Sequence, residues 1–116
     1  MPLEKMSDQE ILNLVNPMMD NLMEASTRVD HAAHVRDFTD RIKAIVTPEH
    51  LEAVCRNYQE EKGFFGAREP VAVLRRPGGV AVLWKQQFTK AAGDFVAEAL
   101  VVEREGRLLI DHVMVW

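Results

Sequence analysis

Over the first sixty residues apolar positions recur every three to four places, and from Gly63 onward they alternate with polar ones. The first period belongs to helices packed by one stripe, the second to strands with two unlike faces. Ser7 followed three places later by Glu10 is a capping-box signature directly ahead of Ile11, Leu14, Val15, Met18 and Leu22. A first helix is therefore expected over about 7–26, with a kink or brief break at Pro17, which lacks an amide donor. Val35, Phe38, Ile42 and Ile45 share the stripe of a second helix over about 30–46, opened by Asp30. Thr47-Pro48-Glu49 supplies a cap, a proline at the first helical position and an acid in the first turn. The third helix then runs over about 48–61, with Leu51, Val54, Cys55 and Tyr58 inward and Gly63 beyond its end.

In the second half, turn signals at Arg76-Pro77-Gly78-Gly79, Lys90-Ala91-Ala92-Gly93 and Glu105-Gly106 separate strands at about 69–75, 80–89, 94–104 and 107–116. Helices first and a meander second define an α+β fold: three N-terminal helices packed on a curved four-stranded antiparallel sheet. At 116 residues the chain has the length of one domain over 1–116.

Tight hairpins would set the register. With Arg104 opposite Arg107 and Thr89 opposite Asp94, the expected rows are Phe88-Phe95-Trp116, Gln86-Ala97-Met114 and Trp84-Ala99-His112 on one face. Large side chains then stand around a middle lined by alanines, which either accommodates helix ridges or leaves an apolar pocket with two polar groups, Gln86 and His112. Trp84, Gln86, Phe88, Ala97, Ala99, His112 and Met114 are thus the expected ligand-binding residues for a small, mainly apolar molecule. In an enzyme of isomerase or lyase type, His112 would be the base and Gln86 would steady the oxyanion. If side chains fill the space, the protein is an interaction module. The opposite face would carry Val96, Glu98, Leu109, Asp111, Val113 and Val115, too apolar for open water, and so an interface for a homodimer.

Charge and composition narrow the alternatives. The net charge of −4 and scattered basic residues argue against nucleic acid as a partner. No apolar run reaches the ~18 residues of a membrane span, so no membrane partner is expected. The acids in MPLEKMSDQEILNLV are unlike a signal peptide, and a cytoplasmic protein is the expectation. Asp30, His31, His34 and Asp37 form an acid and imidazole cluster, but without a third ligand at a recognised spacing they predict no metal, and no cofactor is expected. His34 has the chemistry of a general base one turn before Phe38, Tyr58 that of a hydrogen-bond donor, and the single cysteine, Cys55, that of a small buried hydrophobe.

The order of two helices, the Thr47-Pro48-Glu49-His50-Leu51 helix start, the Gly63 stop with aromatics and four strands with a Glu-Gly turn resembles the nuclear transport factor 2-like superfamily, with its cystatin-like α+β fold. Within it the chain is similar to small bacterial domains whose last strands read like Val96 to Glu103 and Leu108 to Val115. The resemblance covers nearly the whole chain. It implies a bent sheet wrapped round a helix as a cone, a pocket in the cone and dimerisation through the outer sheet face. Its ketosteroid isomerase-like and polyketide cyclase-like members pair a pocket aspartate or histidine base with a tyrosine or carboxylic acid donor. In the expected register Asp111 points outward, which leaves His112 as the titratable group inside.

Overall fold

The computed structural model describes residues 3–116. A 3-10 turn, Leu3–Lys5, precedes α1 (Asp8–Arg28), α2 (His31–His34), α3 (Asp40–Ile45) and α4 (Pro48–Glu61). Four strands follow, β1 (Phe65–Arg76), β2 (Gly79–Phe88), β3 (Phe95–Arg104) and β4 (Arg107–Val115), in the sheet order β1-β2-β3-β4, all antiparallel. The α+β class read from the periodicity is the class of the fold. Among the described residues no helix is long and apolar enough to cross a membrane.

Local chemistry accounts for the helix boundaries. The Glu10 amide donates to Ser7 Oγ and the Ser7 amide donates to Glu10 Oε1, each at 3.1 Å, so the capping box is closed in both directions. α1 runs on through Pro17 without the expected break; the proline sits on the exposed side of the helix. Thr47 Oγ1 accepts from the His50 amide at 3.1 Å and starts α4. The second helix departs from expectation: it is two short pieces, α2 and α3, separated by an extended segment around Phe38. That segment forms a parallel bridge to β4, with the Ile110 amide donating to Asp37 O at 2.6 Å and the Thr39 amide donating to Ile110 O at 3.0 Å. A helix through Phe38 would leave this part of the β4 edge without backbone partners.

α1 lies across the inner face of the sheet. Ile11, Val15 and Met19 pack with Val80, Val82, Trp84, Ala97, Ala99 and Val101 in one buried cluster. Small alanines opposite Trp84 and Val82 let the helix approach, and Trp84 Nε1 donates to Asn16 Oδ1 at 2.9 Å, satisfying the indole where it is buried.

The sheet register differs from the tight-hairpin expectation in two ways with different consequences. Between β2 and β3 the pairing is Gln86 with Phe95, Trp84 with Ala97 and Val82 with Ala99, a slip of two residues. The connection is longer than a tight turn because its amides are bound elsewhere: Thr89 N donates to Phe64 O, and Lys90 N and Ala91 N both donate to Lys62 O at the end of α4. A slip of two keeps every side chain on its face, so Trp84, Gln86, Phe88, Ala97 and Ala99 remain inside.

Between β3 and β4 the shift is one residue. Arg104 pairs with Arg107 and Val101 with Ile110, but Leu100 then pairs with His112, so Asp111 is the extra residue of a bulge. Its carboxylate accepts from Thr39 Oγ1 at 2.7 Å and from Arg41 Nε at 3.2 Å, and its carbonyl accepts from the Arg41 guanidinium. A one-residue shift reverses the faces beyond it. His112 and Met114 are therefore on the outer side, not in the cone, while Val113 and Val115, expected outside, pack against the core cluster. The Asp111→Ala variant should lose about 1–3 kcal/mol of stability, through two side-chain hydrogen bonds, the one from Arg41 also an ion pair, measured by urea unfolding. Unchanged stability would show that the bulge is held by its backbone contacts, the Phe38 bridge and the Arg41 bond to the Asp111 carbonyl, without the carboxylate.

Candidate functional site

The inner face is not open where alanines suggested it. Trp84, Ala97 and Ala99 are 1%, 0% and 2% exposed under α1, so side chains fill this part of the inner face. Open space lies instead between α1, α4 and the last residues of β4, as a groove of about 370 Å³. His50, Val54, Tyr58 and Lys62, four residues apart along α4, form one wall, because side chains at i and i+4 stand above one another on a helix. Val113 and Val115, turned inward by the bulge, form the facing wall, and Leu22, Met23 and Ser26 of α1 the third. Val54 and Met114 are about half exposed at the rim.

Aromatic rings set the end nearest the α4 terminus. Tyr58 and Phe65 have centroids 4.9 Å apart, Phe65 and Phe88 5.2 Å, and Phe88 and Phe95 5.0 Å, all within the range of favourable ring contacts. Ser26 Oγ stands 2.8 Å from the Tyr58 hydroxyl and 3.3 Å from Cys55 Sγ, and Gln59 Nε2 donates to the Tyr58 hydroxyl at 3.3 Å. Burial raises the Tyr58 phenol above its ordinary value against the opposing pull of its Ser26 and Gln59 bonds, so it presents a neutral hydroxyl. Cys55 is wholly buried and is a packing residue with one weak polar contact.

His34 is the distinctive group of the groove. It is 8% exposed, packs edge-on against Phe38 with centroids 5.3 Å apart, and its Nδ1 is buried without a hydrogen-bond partner. Burial, aided by repulsion from His31, lowers its pKa from 6.5 to about 4, so the imidazole is neutral at physiological pH. His31 is fixed by a 2.8 Å contact between Nε2 and Val46 O, and Asp30 caps α2 by accepting from the Ala33 amide at 3.2 Å. Asp37 pairs with Arg36 and Arg107. The four members of the sequence cluster thus serve separate partners, and among the described residues no three His, Cys, Asp or Glu side chains converge as a metal set.

Of the seven expected pocket residues, Phe88 lines the groove and Met114 reaches its rim from the outer strand face. Gln86 is wholly buried beside a separate cavity of about 290 Å³, with Nε2 donating to Gly66 O, Ala67 O and Gln87 O and with Oε1 unpartnered. His112 Nε2 meets Glu98 Oε1 at 3.1 Å on the outer face, away from the space between helices and sheet. Of the expected interface residues, Val96, Glu98 and Leu109 are outward, Asp111 is clasped by α3 and its cap, and Val113 and Val115 are inward. Sequence reading missed Lys62, Ser26 and His50 as groove residues. The His50-Val54-Tyr58-Lys62 spacing carried the signal.

No protein-family model and no curated protein matches the chain. Its fold is shared with solved bacterial structures. A SEC-C motif-containing protein from Rhodopseudomonas palustris aligns with a TM-score of 0.60 and 14% identity, over 84% of this chain and 74% of that one. A DUF4783 family protein from Bacteroides ovatus gives 0.50 and 12%, over 82% and 90%. A Bdellovibrio bacteriovorus protein gives 0.54 and 9%, over 94% of this chain and 42% of that one. At these identities the likeness is one of α+β fold.

His34 makes the fold sensitive to acid. Its folded pKa is depressed, so between about 6.5 and 4 the unfolded chain holds a proton that the folded chain refuses. Stability contributed by the neutral imidazole is complete above that window and declines by up to about 3 kcal/mol as pH falls through it. Urea midpoints measured from pH 7 to 4 should show this slope, and His34→Gln should flatten it. A slope that persists in the variant would assign it to other groups.

Proposed function

We propose that this protein is a binding domain for a small, mainly apolar molecule held in the groove between α1, α4 and β4. The observation that carries the reading is a groove walled by Leu22, Val54, Tyr58, Val113 and Val115, with one buried imidazole nitrogen, His34 Nδ1, left without a partner. An unanswered buried polar atom costs about 1–3 kcal/mol, which marks His34 as a position not optimised for stability alone. Apolar walls with few convergent polar groups are the composition of small-molecule sites. A curved sheet holding a ligand against a helix is also what membership in the nuclear transport factor 2-like superfamily would entail, and the helices-then-meander order supports that membership.

A second reading concerns the outer sheet face. Leu74, Met114 and Trp116, each more than half exposed, flank the partly covered Leu83, Val96 and Leu100, and this surface supports a homodimer. Both readings can be followed in one preparation. Native mass spectrometry should find a species of twice the 13.2 kDa chain mass, and a monomer throughout the micromolar range would refute the dimer. Nile red, a neutral solvatochromic dye, should bind with a blue-shifted emission. Val54→Glu, placed at the exposed rim, should weaken its binding about tenfold or more without unfolding the protein. Equal dye binding by both proteins would place the dye elsewhere and sink the groove reading.

A further inference from the structure

Charge along the groove sets the chemistry of its occupant further than apolar lining does. Among the described residues of its wall, Lys62 is the one lysine or arginine, and no carboxylate is present. Its Nζ stands 5.7 Å from the centre of the Phe95 ring, at the aromatic end of the groove, and its side chain is 29% exposed. The nearest acid is Glu61 at 4.0 Å, a solvent-facing carboxylate outside the groove wall, and such a long exposed pair holds a lysine weakly. Carbonyls at the end of α4 are already answered: Tyr58 O accepts from Lys62 N, Gln59 O from Gly63 N, and Glu60 O from Lys90 Nζ. Among the described residues the ammonium has no polar contact closer than the 4.0 Å Glu61 pair, which a ligand carboxylate can displace.

Geometry adds a length. His50 and Lys62 stand at the two ends of one α4 stripe, twelve positions apart, so the wall runs for about 18 Å along the helix axis. Tyr58 and Val54 lie between them. A lysine at one end of a long apolar trough without carboxylates fits a molecule with one anion at the end of a long apolar body.

We propose that the groove takes a monoanionic amphiphile, an alkyl or acyl chain ending in a carboxylate, with the carboxylate at Lys62 and the chain along Tyr58 and Val54. The assignment rests on the groove being a ligand site and names the class of ligand. Neutral or cationic chains of equal length lack the charge-assisted bond, and a cation meets Lys62 unfavourably.

Displacement of Nile red from the full chain by decanoate, decanol and decylamine tests this. Decanoate should compete about tenfold more strongly than decanol, and decylamine least. Lys62→Gln should bring decanoate down to the decanol value and leave decanol unchanged, while Lys62→Arg should restore the preference. Equal competition by the three, or a decanoate preference that survives Lys62→Gln, overturns the carboxylate assignment while leaving the groove as a neutral-ligand site. Dye binding insensitive to Val54→Glu overturns the groove itself, so the two failures are separable.

Discussion

The groove, and the two faces of the sheet that define it, depend on the way Thr39 and Arg41 hold Asp111. One extra residue in β4 reverses every side chain after it, and an extra residue in a strand persists only where its backbone and side chain find partners. Asp111 has three such contacts, from the Thr39 hydroxyl and the Arg41 guanidinium, and the Phe38 segment pairs with Ile110 directly before it. The Thr39 bond is the largest influence in lowering the Asp111 pKa, with Arg41 next, so the carboxylate stays ionised and keeps accepting. Without the bulge, His112 and Met114 would face the helices and Val113 and Val115 would lie outside.

This clasp also explains why the second helix is broken. Thr39 cannot cap α3, pair with Ile110 and remain in a helix continuous with α2; the segment around Phe38 is extended because β4 supplies backbone partners there. The break leaves α2 as a separate short turn with His34 buried over Phe38. Thus a contact between residues more than seventy positions apart in sequence sets both the inward valines and the buried imidazole of the groove.

Packing divides the inner face into two parts. Under α1 the sheet is filled, with Trp84 answered by Asn16 and alanines making room for the helix. Toward α4 the helix stands off on aromatic rings, and the space between is a trough with the neutral His34 imidazole and one lysine on its walls. The same fold therefore has a filled half under α1 and a half toward α4 that holds a groove.

Periods of hydrophobicity, the Ser7 and Thr47 caps and the glycine turns were enough to read the α+β class, the start of α1 and the start of α4, because each rests on neighbours within a few residues. They also placed Trp84, Ala97 and Ala99 on the buried face, since a slip of two residues does not alter parity. His112 was assigned to the wrong side because parity beyond a bulge depends on distant partners, and nothing local to Ile110-Asp111-His112 announces one. The groove was legible only as the fourfold spacing of His50, Val54, Tyr58 and Lys62. Local sequence determined which elements form, while tertiary contacts decided which side of the last strand faces them, because a strand has two equivalent faces until another segment holds one register in place.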